Sequence, residues 1–220
     1  LFIGGALFDS STPMAGRLMW LIIGVPLGYV GYRIATRKSS AAKKSKDAFN
    51  SIDFVKTADE WQALPGALES IARLNQAGWH IMVVSNQSGL GRGHFDMSAL
   101  NAMHDKLHSS LAQVGGKIDA IFFCPHTPDD NCNCRKPLPG MFLDIMGRTG
   151  ADASLVHAVG DSLRDLQAAD AAGCQVHLVK TGNGQALLDK LPIDGFPSRT
   201  LIHKDLSEFA DYVLQLPVFD

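Results

Sequence analysis

From about residue 53 onward, apolar and polar positions recur with two regular spacings. Short apolar runs with the length of buried strands occupy residues 80–84, 120–123, 156–159 and 175–179. Apolar residues at helical spacing occupy residues 67–76, 97–114, 140–148 and 163–172. Fully apolar strands that alternate with helices predict a parallel sheet with helices on both faces. We therefore expect a three-layer, Rossmann-like α/β fold.

The first fifty residues do not follow this pattern. Residues 18–32 form an uncharged run, LMWLIIGVPLGYVGY, and a basic stretch follows it. A helix of this run is roughly 22 Å long, short of the ~30 Å hydrocarbon core of a membrane, and Pro26 weakens it. Membrane contact is therefore an alternative that we do not favour over a buried strand or helix. We divide the chain into an apolar and basic N-terminal segment with its linker, residues 1–48, and one domain, residues 49–220.

Composition excludes several classes of protein. The 220 residues carry 20 Lys and Arg against 22 Asp and Glu, so the chain is not a nucleic-acid-binding polycation. A hydrophobic fraction of 46% indicates a folded globular protein rather than a disordered one. Four cysteines are too few for a disulfide scaffold, and three of them lie between positions 124 and 134. This clustering indicates a metal site before disulfides.

The metal site predicted from this clustering follows the second apolar run. Its four candidate ligands form one C-x-H and one C-x-C pair: Cys124, His126, Cys132 and Cys134. Three thiolates and one imidazole complete a tetrahedral zinc shell, and four protein ligands indicate a structural zinc. The alternative is three unrelated loop cysteines beside a surface histidine. Cys174 precedes an apolar run and is expected to be an ordinary buried thiol.

Residues that follow the strands are candidates for chemistry, because ligands of such sheets bind beyond the carboxyl ends of the strands. After the first strand come Ser85, Asn86, Gln87 and Ser88. Their hydroxyl and amide groups offer hydrogen bonds to an oxyanion such as phosphate. The same residue types are common in turns, which is the alternative interpretation.

Charged residues follow two further strands. Arg135 and Lys136 come directly after the last zinc-ligand candidate and suit phosphate binding, or are simply two surface cations. Asp161 precedes a helix, where its carboxylate binds Mg²⁺ or caps the helix. Asp165 lies one turn later and either supports this site or is solvated. Residues 180–182 are expected to form a loop with at most a peripheral role.

Three segments carry a resemblance to a known family: SNQSGLGRGHF, CPHTPDDNCNCRKPLPGM and VGDSLRDLQAA. Over roughly residues 53–185 the chain resembles the haloacid dehalogenase-like phosphohydrolases, and more narrowly the bacterial heptose 1,7-bisphosphate 7-phosphatases. The resemblance implies a cytoplasmic, Mg²⁺-dependent phosphatase with a zinc loop. Its substrate would be a sugar bisphosphate, D-glycero-D-manno-heptose 1,7-bisphosphate, a precursor for lipopolysaccharide or S-layer synthesis. We expect it to act as a monomer.

The resemblance also implies residue roles. Ser85 would hold the transferring phosphoryl group, Lys136 would neutralise its charge and Asp161 would bind Mg²⁺. The residues implied to line the substrate site are Asn86, Gln87, Ser88 and Arg135. The four clustered Cys and His residues would bind zinc. Histidinol-phosphate phosphatase, which has a similar loop, is the alternative, but an acidic residue is expected there in place of Ser88.

The chain departs from this family at its first motif, a strand ending in D-x-D-G-x-x-N. The first aspartate of the motif is the nucleophile and the second is the acid and base, yet the motif is absent from the sequence. Two weak candidates are Asp9, with Ser11 two residues later, and Asp47, with Ser45 in the nucleophile position. Neither supplies two carboxylates: with Ser45 as nucleophile no aspartyl-phosphate would form, and with Ser11 in the second place the leaving oxygen would lack its proton donor. A catalytically impaired phosphate-binding homologue is therefore a second alternative.

The strand that carries this motif lies at the centre of the sheet. An empty place there would expose apolar faces and unpaired backbone groups. We predict that part of residues 1–34 fills it, with residues 1–8 as first choice and residues 18–25 as second. The abrupt change of composition near Asp47 also fits an N-terminal segment that is not native to this domain.

Overall fold

A six-stranded parallel sheet forms the centre of the structure. The computed structural model describes residues 20–24, as backbone, and residues 55–216. In chain order the strands are β1 (Trp20–Gly24), β2 (His80–Asn86), β3 (Ala120–Cys124), β4 (Val156–Gly160), β5 (Gln175–Val179) and β6 (Leu201–His203). They are arranged in the order β3-β2-β1-β4-β5-β6, and every neighbouring pair is parallel. The predicted α/β fold is confirmed.

Helices cover both faces of the sheet. Those in the described part of the chain are α1 (Ala67–Gln76), α2 (Ser88–Gly91), α3 (Met97–Gln113), α4 (Gly140–Thr149), α5 (Leu163–Ala171), α6 (Gly184–Leu188) and α7 (Leu206–Leu214). One buried cluster joins the sheet to α1, α3 and α7 through Leu74, Leu107 and Phe209. A second cluster joins the opposite face to α4 and α5 through Phe142 and Leu166. The three predicted layers are therefore present.

The predicted elements agree with the observed ones to within one or two residues. Strand β2 extends to Asn86 and β3 to Cys124, so three candidate residues, Ser85, Asn86 and Cys124, lie within strands rather than after them. The sequence pattern missed the short helices α2 and α6 as well as β6 and α7. Strand β6 has three residues, and Leu201 and Ile202 are exposed. A short edge strand of this kind has no apolar run that periodicity could detect.

Strand β1 occupies the centre of the sheet. Its Ile23 is level with Val83 of β2 and with Val159 of β4, and Gly24 is level with Gly160. The first choice for this place, residues 1–8, was therefore wrong, while the second choice is confirmed over residues 20–24. The sequence gives a physical reason. Residues 20–24 contain adjacent isoleucines, which favour strands, whereas residues 1–8 contain adjacent glycines, which weaken them.

Several predictions fall on residues outside the described ranges, 20–24 and 55–216. Asp9, Ser45, Asp47 and the proposed boundary at residue 48 all lie outside them. Within the described ranges, no helix has both the length and the apolar character needed to cross a membrane.

A row of three buried histidines crosses the sheet from β4 to β6. The Nδ1 of His157 lies 2.9 Å from the Nε2 of His177, whose Nδ1 lies 3.0 Å from the Nε2 of His203. Burial lowers the pKa of His157 to about 4. Burial and the two neighbouring histidines lower the pKa of His177 to about 3, and burial also lowers that of His203. At neutral pH these rings are uncharged, and each contact can pair one N–H with one lone pair.

Candidate functional site

The carboxyl ends of β2 and β4 lie at the same level on either side of β1. Val83 and Val159 are both level with Ile23, so Ser85 and Asp161, each two residues further along the chain, reach the same edge of the sheet. Two strand spacings, about 10 Å, separate the backbones of β2 and β4. A ligand seated beyond the end of β1 would therefore meet residues from both strands.

Ser85 is fully buried at this edge and belongs to a short hydrogen-bonded cluster. The Nε2 of Gln87 donates to the Ser85 hydroxyl oxygen at 2.8 Å. The backbone N–H of Gln87 donates to the carbonyl of Cys124 at 2.7 Å, which ties this segment to β3. Ser88 is buried at the start of α2. The candidate residues from the end of β2 to the start of α2 thus form one fixed segment.

Lys136 enters the same edge from the chain that follows the cysteine-rich loop. Its side chain is 2% exposed, and its Nζ donates to the carbonyl of Val84 at 2.8 Å. The same Nζ lies 2.5 Å from Oδ1 of Asp165. These two contacts use two of the three ammonium N–H groups, and among the described residues the third is left for a ligand. Lys136 is therefore a buried cation at the strand ends, not a surface one.

The carboxylate of Asp165 contacts two neighbouring residues, one with each oxygen. Its Oδ2 accepts hydrogen bonds from the backbone N–H of Ser162 at 3.1 Å and from the Ser162 hydroxyl at 2.5 Å, which caps α5. Its Oδ1 pairs with Lys136. Of the two interpretations of Asp165, the structure supports the one in which it belongs to the site. Gly160 permits this approach, because a Cβ on Gly160 would lie 2.4 Å from the Cβ of Asp165.

The carboxamide of Asn86 brackets the backbone of Lys136. Its Nδ2 donates to the Lys136 carbonyl at 3.0 Å, and its Oδ1 accepts from the Lys136 N–H at 3.0 Å. The side chain thus pairs with the peptide groups on both sides of one residue. This contact joins the end of β2 to the chain that leaves the cysteine-rich loop.

Asp161 carries one oxygen without a partner. Its Oδ2 accepts from the backbone N–H of Asn183 at 2.9 Å and from the Asn183 carboxamide at 3.2 Å. Its Oδ1 is buried, and the described residues provide it with no hydrogen bond. Burial, followed by the charge of Asp165, raises the pKa of Asp161 to about 6, against the opposing effects of Asn183 and Lys136. A buried carboxylate oxygen of this kind fits Mg²⁺, which takes oxygen ligands and completes its shell with water.

The loop after β5 lies against Asp161. Gly182 has a φ of 62°, and a Cβ there would lie 2.1 Å from Oδ2 of Asp161. The prediction of at most a peripheral role for residues 180–182 was therefore wrong for Gly182. Asn183 was missed altogether, although the rule that strand ends carry the chemistry applies to β5 as well.

The four predicted zinc ligands lie together beside this edge. One donor atom from each of Cys124, His126, Cys132 and Cys134 lies within 4.8 Å of the others. Adjacent donors are 3.3 to 3.6 Å apart, close to the ~3.8 Å between sulfurs on a tetrahedral zinc. The donor set and its spacing fit zinc. The guanidinium of Arg135 donates to the carbonyl of His126 at 3.1 Å and so ties the chain after the cluster back to it.

Comparison with known proteins shows which family the chain belongs to. Residues 133–208 match the family model described as HAD-hydrolase-like. The D-glycero-beta-D-manno-heptose-1,7-bisphosphate 7-phosphatase of Bordetella bronchiseptica is 57% identical over 162 residues, which cover 74% of this chain and 89% of that protein. The chain belongs to this phosphatase family. The protein of the same name from Pseudomonas aeruginosa is 49% identical over 166 residues, 76% of this chain and 91% of its own length.

Solved structures of the heptose bisphosphate phosphatase family share the fold. The enzyme from B. bronchiseptica, complexed with magnesium and phosphate, superposes with a TM-score of 0.75 at 51% identity and covers 90% of this chain and 99% of its own. The enzyme from Burkholderia thailandensis has a TM-score of 0.63 at 39% identity, with 89% and 99% covered. The family resemblance seen in the sequence is confirmed.

The sequence that follows β1 lacks the first motif that the family resemblance implies. The residues after Gly24 are Val25, Pro26 and Leu27, and no Asp or Glu occurs between Asp9 and Asp47. The two carboxylates of the D-x-D-G motif are therefore missing from the sequence directly after the central strand.

Proposed function

We propose that the edge formed by β2 and β4 is a Mg²⁺-dependent phosphatase site for a sugar bisphosphate. The substrate that the relatives' names suggest is D-glycero-β-D-manno-heptose 1,7-bisphosphate, with loss of the phosphate at carbon 7. The observation that carries the proposal is the unpartnered, buried Oδ1 of Asp161 beside the buried Lys136. This pairing of an open carboxylate with a cation suits a metal ion and a phosphoryl group side by side.

Three residues act on the phosphoryl group in this proposal. Asp161 holds Mg²⁺, which when bound supplies positive charge to the phosphoryl oxygens. The third N–H of the Lys136 ammonium donates to one of these oxygens and neutralises charge that develops during transfer. The Ser85 hydroxyl contacts another oxygen and is held in place by Gln87. Phosphoryl transfer depends largely on such positioning and charge neutralisation.

The surrounding residues hold the substrate and the site. Gln87, Ser88 and Arg135 would face the sugar and the second phosphate, consistent with their position around the end of β2. Zinc in the Cys124, His126, Cys132 and Cys134 cluster would be structural, because four protein ligands leave no open position. It would fix the chain that delivers Arg135 and Lys136 to the strand ends.

Release of phosphate from the heptose bisphosphate tests this proposal. The rate is measured with Mg²⁺ and after chelation, for the natural sequence and for Asp161→Ala and Lys136→Met. We expect release that requires Mg²⁺ and falls by at least about a hundredfold in either variant. A rate equal to that of Asp161→Ala would reject the catalytic assignment.

A second candidate is a site that binds the phosphate ester without turning it over. The specific observation in its favour is the sequence after β1, Val25-Pro26-Leu27, where the resemblance implies two aspartates. Without an aspartate nucleophile there is no aspartyl-phosphate, and the leaving oxygen has no proton donor. The double variant Val25→Asp, Leu27→Asp tests it. Phosphate release that is absent from the natural sequence and present in the double variant would establish the second candidate.

Three further expectations remain proposals. Histidinol phosphate is a weaker substrate candidate than the heptose bisphosphate, because the relatives described above carry the heptose name. A direct comparison of the two substrates at equal concentration decides between them. We also propose a monomer and a cytoplasmic location, which sedimentation and fractionation of the source cells would test.

A further inference from the structure

We propose that Asn86 is a positioning residue for Lys136 rather than a group that contacts the sugar phosphate. The inference rests on the proposed function, because it concerns how the phosphate site is built. Both functional atoms of the carboxamide are already used: Nδ2 donates to the Lys136 carbonyl and Oδ1 accepts from the Lys136 N–H, each at 3.0 Å. One N–H and one lone pair of the carboxamide remain, but the two bonds together hold the side chain against the backbone of Lys136.

The place of Asn86 in the sheet explains what these bonds hold. Asn86 is level with Cys124, the last residue of β3 and the first candidate zinc ligand. Its side chain reaches Lys136, two residues beyond Cys134, the last ligand. Asn86 therefore meets both ends of the cysteine-rich loop, the beginning through the sheet and the end through its carboxamide. The loop is closed onto the strand that also carries Ser85.

The ammonium of Lys136 is held by separate contacts. Its Nζ is bound by the carbonyl of Val84 and by Asp165. These contacts set where the ammonium lies only if the backbone of Lys136 stays within reach, and Asn86 is the side chain that fixes this backbone. Loss of the carboxamide should therefore weaken phosphate binding through Lys136 and not through a lost contact with phosphate.

A double-mutant cycle in orthophosphate affinity tests this claim. The four proteins are the natural chain, Asn86→Ala, Lys136→Met and the variant with both changes, titrated with inorganic phosphate in the presence of Mg²⁺ by calorimetry. We expect Asn86→Ala to weaken binding about tenfold, and to have no further effect in the Lys136→Met background. Equal losses in both backgrounds would mean that Asn86 contacts the phosphate itself, and would overturn the proposal. An unchanged affinity of Asn86→Ala would overturn it as well.

Asn75 provides a matched control. It is also half-buried, and its carboxamide also donates to one backbone carbonyl, that of Trp79, and accepts from one backbone N–H, that of Lys117. Asn75→Ala loses two comparable bonds, which lie near the amino ends of β2 and β3, at the opposite edge of the sheet from the candidate site. We expect Asn75→Ala to lower thermal stability and to leave phosphate affinity unchanged. If its phosphate affinity fell as much as that of Asn86→Ala, the loss of affinity in both variants would be due to general destabilisation.

The remaining outcomes are also decisive. If Asn86→Ala does not melt cooperatively, the cycle is repeated with Asn86→Ser, and failure of both variants to fold would overturn the positioning role in favour of a folding role. A natural chain that binds phosphate but releases none from the bisphosphate would reject the catalytic proposal alone. A natural chain that binds no phosphate would reject both.

Discussion

The Nζ of Lys136 lies 2.5 Å from Oδ1 of Asp165, and the two side chains are 2% and 4% exposed. Removing one partner of a buried ion pair leaves the other charge uncompensated, which is strongly destabilising. We expect Asp165→Asn to lower the free energy of unfolding by about 3–5 kcal/mol, measured by urea denaturation. Asp144→Asn is the control, because its pair with Arg148 is solvent-exposed and should contribute little. If both variants lost a similar free energy of unfolding, burial would not be the reason why the Lys136–Asp165 pair stabilises the fold.

A side chain at Gly182 should reach Asp161, the proposed Mg²⁺ ligand, directly. Gly182→Ala places a Cβ 2.1 Å from Oδ2 of Asp161, so the carboxylate or the loop must move. We expect Mg²⁺ affinity to fall at least tenfold in calorimetric titration. Gly150→Ala is the control, because Gly150 has a similar φ of 70° but its Cβ would meet nothing within 4 Å. If both variants lost Mg²⁺ affinity, the cause would be backbone strain and not a displaced Asp161.

Zinc content tests the cysteine-rich loop. We expect one zinc ion per purified chain by elemental analysis, and its loss in Cys132→Ser, because the remaining three ligands bind zinc more weakly. The same variant should melt at a lower temperature, since metal binding contributes to folding. Cys174→Ser should keep its zinc, because Cys174 lies apart from the cluster. Full zinc content in Cys132→Ser would contradict the ligand assignment.

The buried histidine row predicts loss of stability in mild acid. The pKa values of His157 and His177, about 4 and about 3, lie below the unfolded value of about 6.5. The unfolded chain therefore binds more protons between these limits, and stability present above pH 6.5 is lost as the pH falls towards 4. His157→Gln should flatten this dependence by about 1.4 kcal/mol per pH unit. The free energy of unfolding is measured by urea denaturation between pH 6 and 4.5, and an unchanged slope of this free energy against pH in His157→Gln would contradict the prediction.

Much of the site could be predicted because it follows one rule of parallel sheets. Ser85 and Asp161 follow apolar runs that sequence periodicity detects, and the structure brings them to one edge. The hydrogen bonds between Asn86 and the backbone of Lys136 could not be predicted, because the two residues are separated by 50 residues and no local pattern records the pairing. The strand-end rule indicates the loop that contains Asn183, but no local pattern records its contact with Asp161 across 22 residues.

The central strand shows a different limit. Residues 20–24 lie within an uncharged run that continues to residue 32, so the pattern alone does not show where a strand ends. Register resolves this, because Gly24 is level with Gly160, the residue before Asp161. The same register shows which sequence positions follow the central strand, and so where the missing carboxylates would have to be restored.

The most direct test is an anomalous diffraction map of the crystalline chain with Mn²⁺, as a substitute for Mg²⁺, and orthophosphate. We predict one manganese peak bound to Oδ1 of Asp161, with phosphate oxygens within hydrogen-bonding distance of the Ser85 hydroxyl and the Lys136 ammonium. Phosphate bound elsewhere on the molecule, or a manganese peak away from Asp161, would contradict the assignment of this edge as the phosphate and metal site.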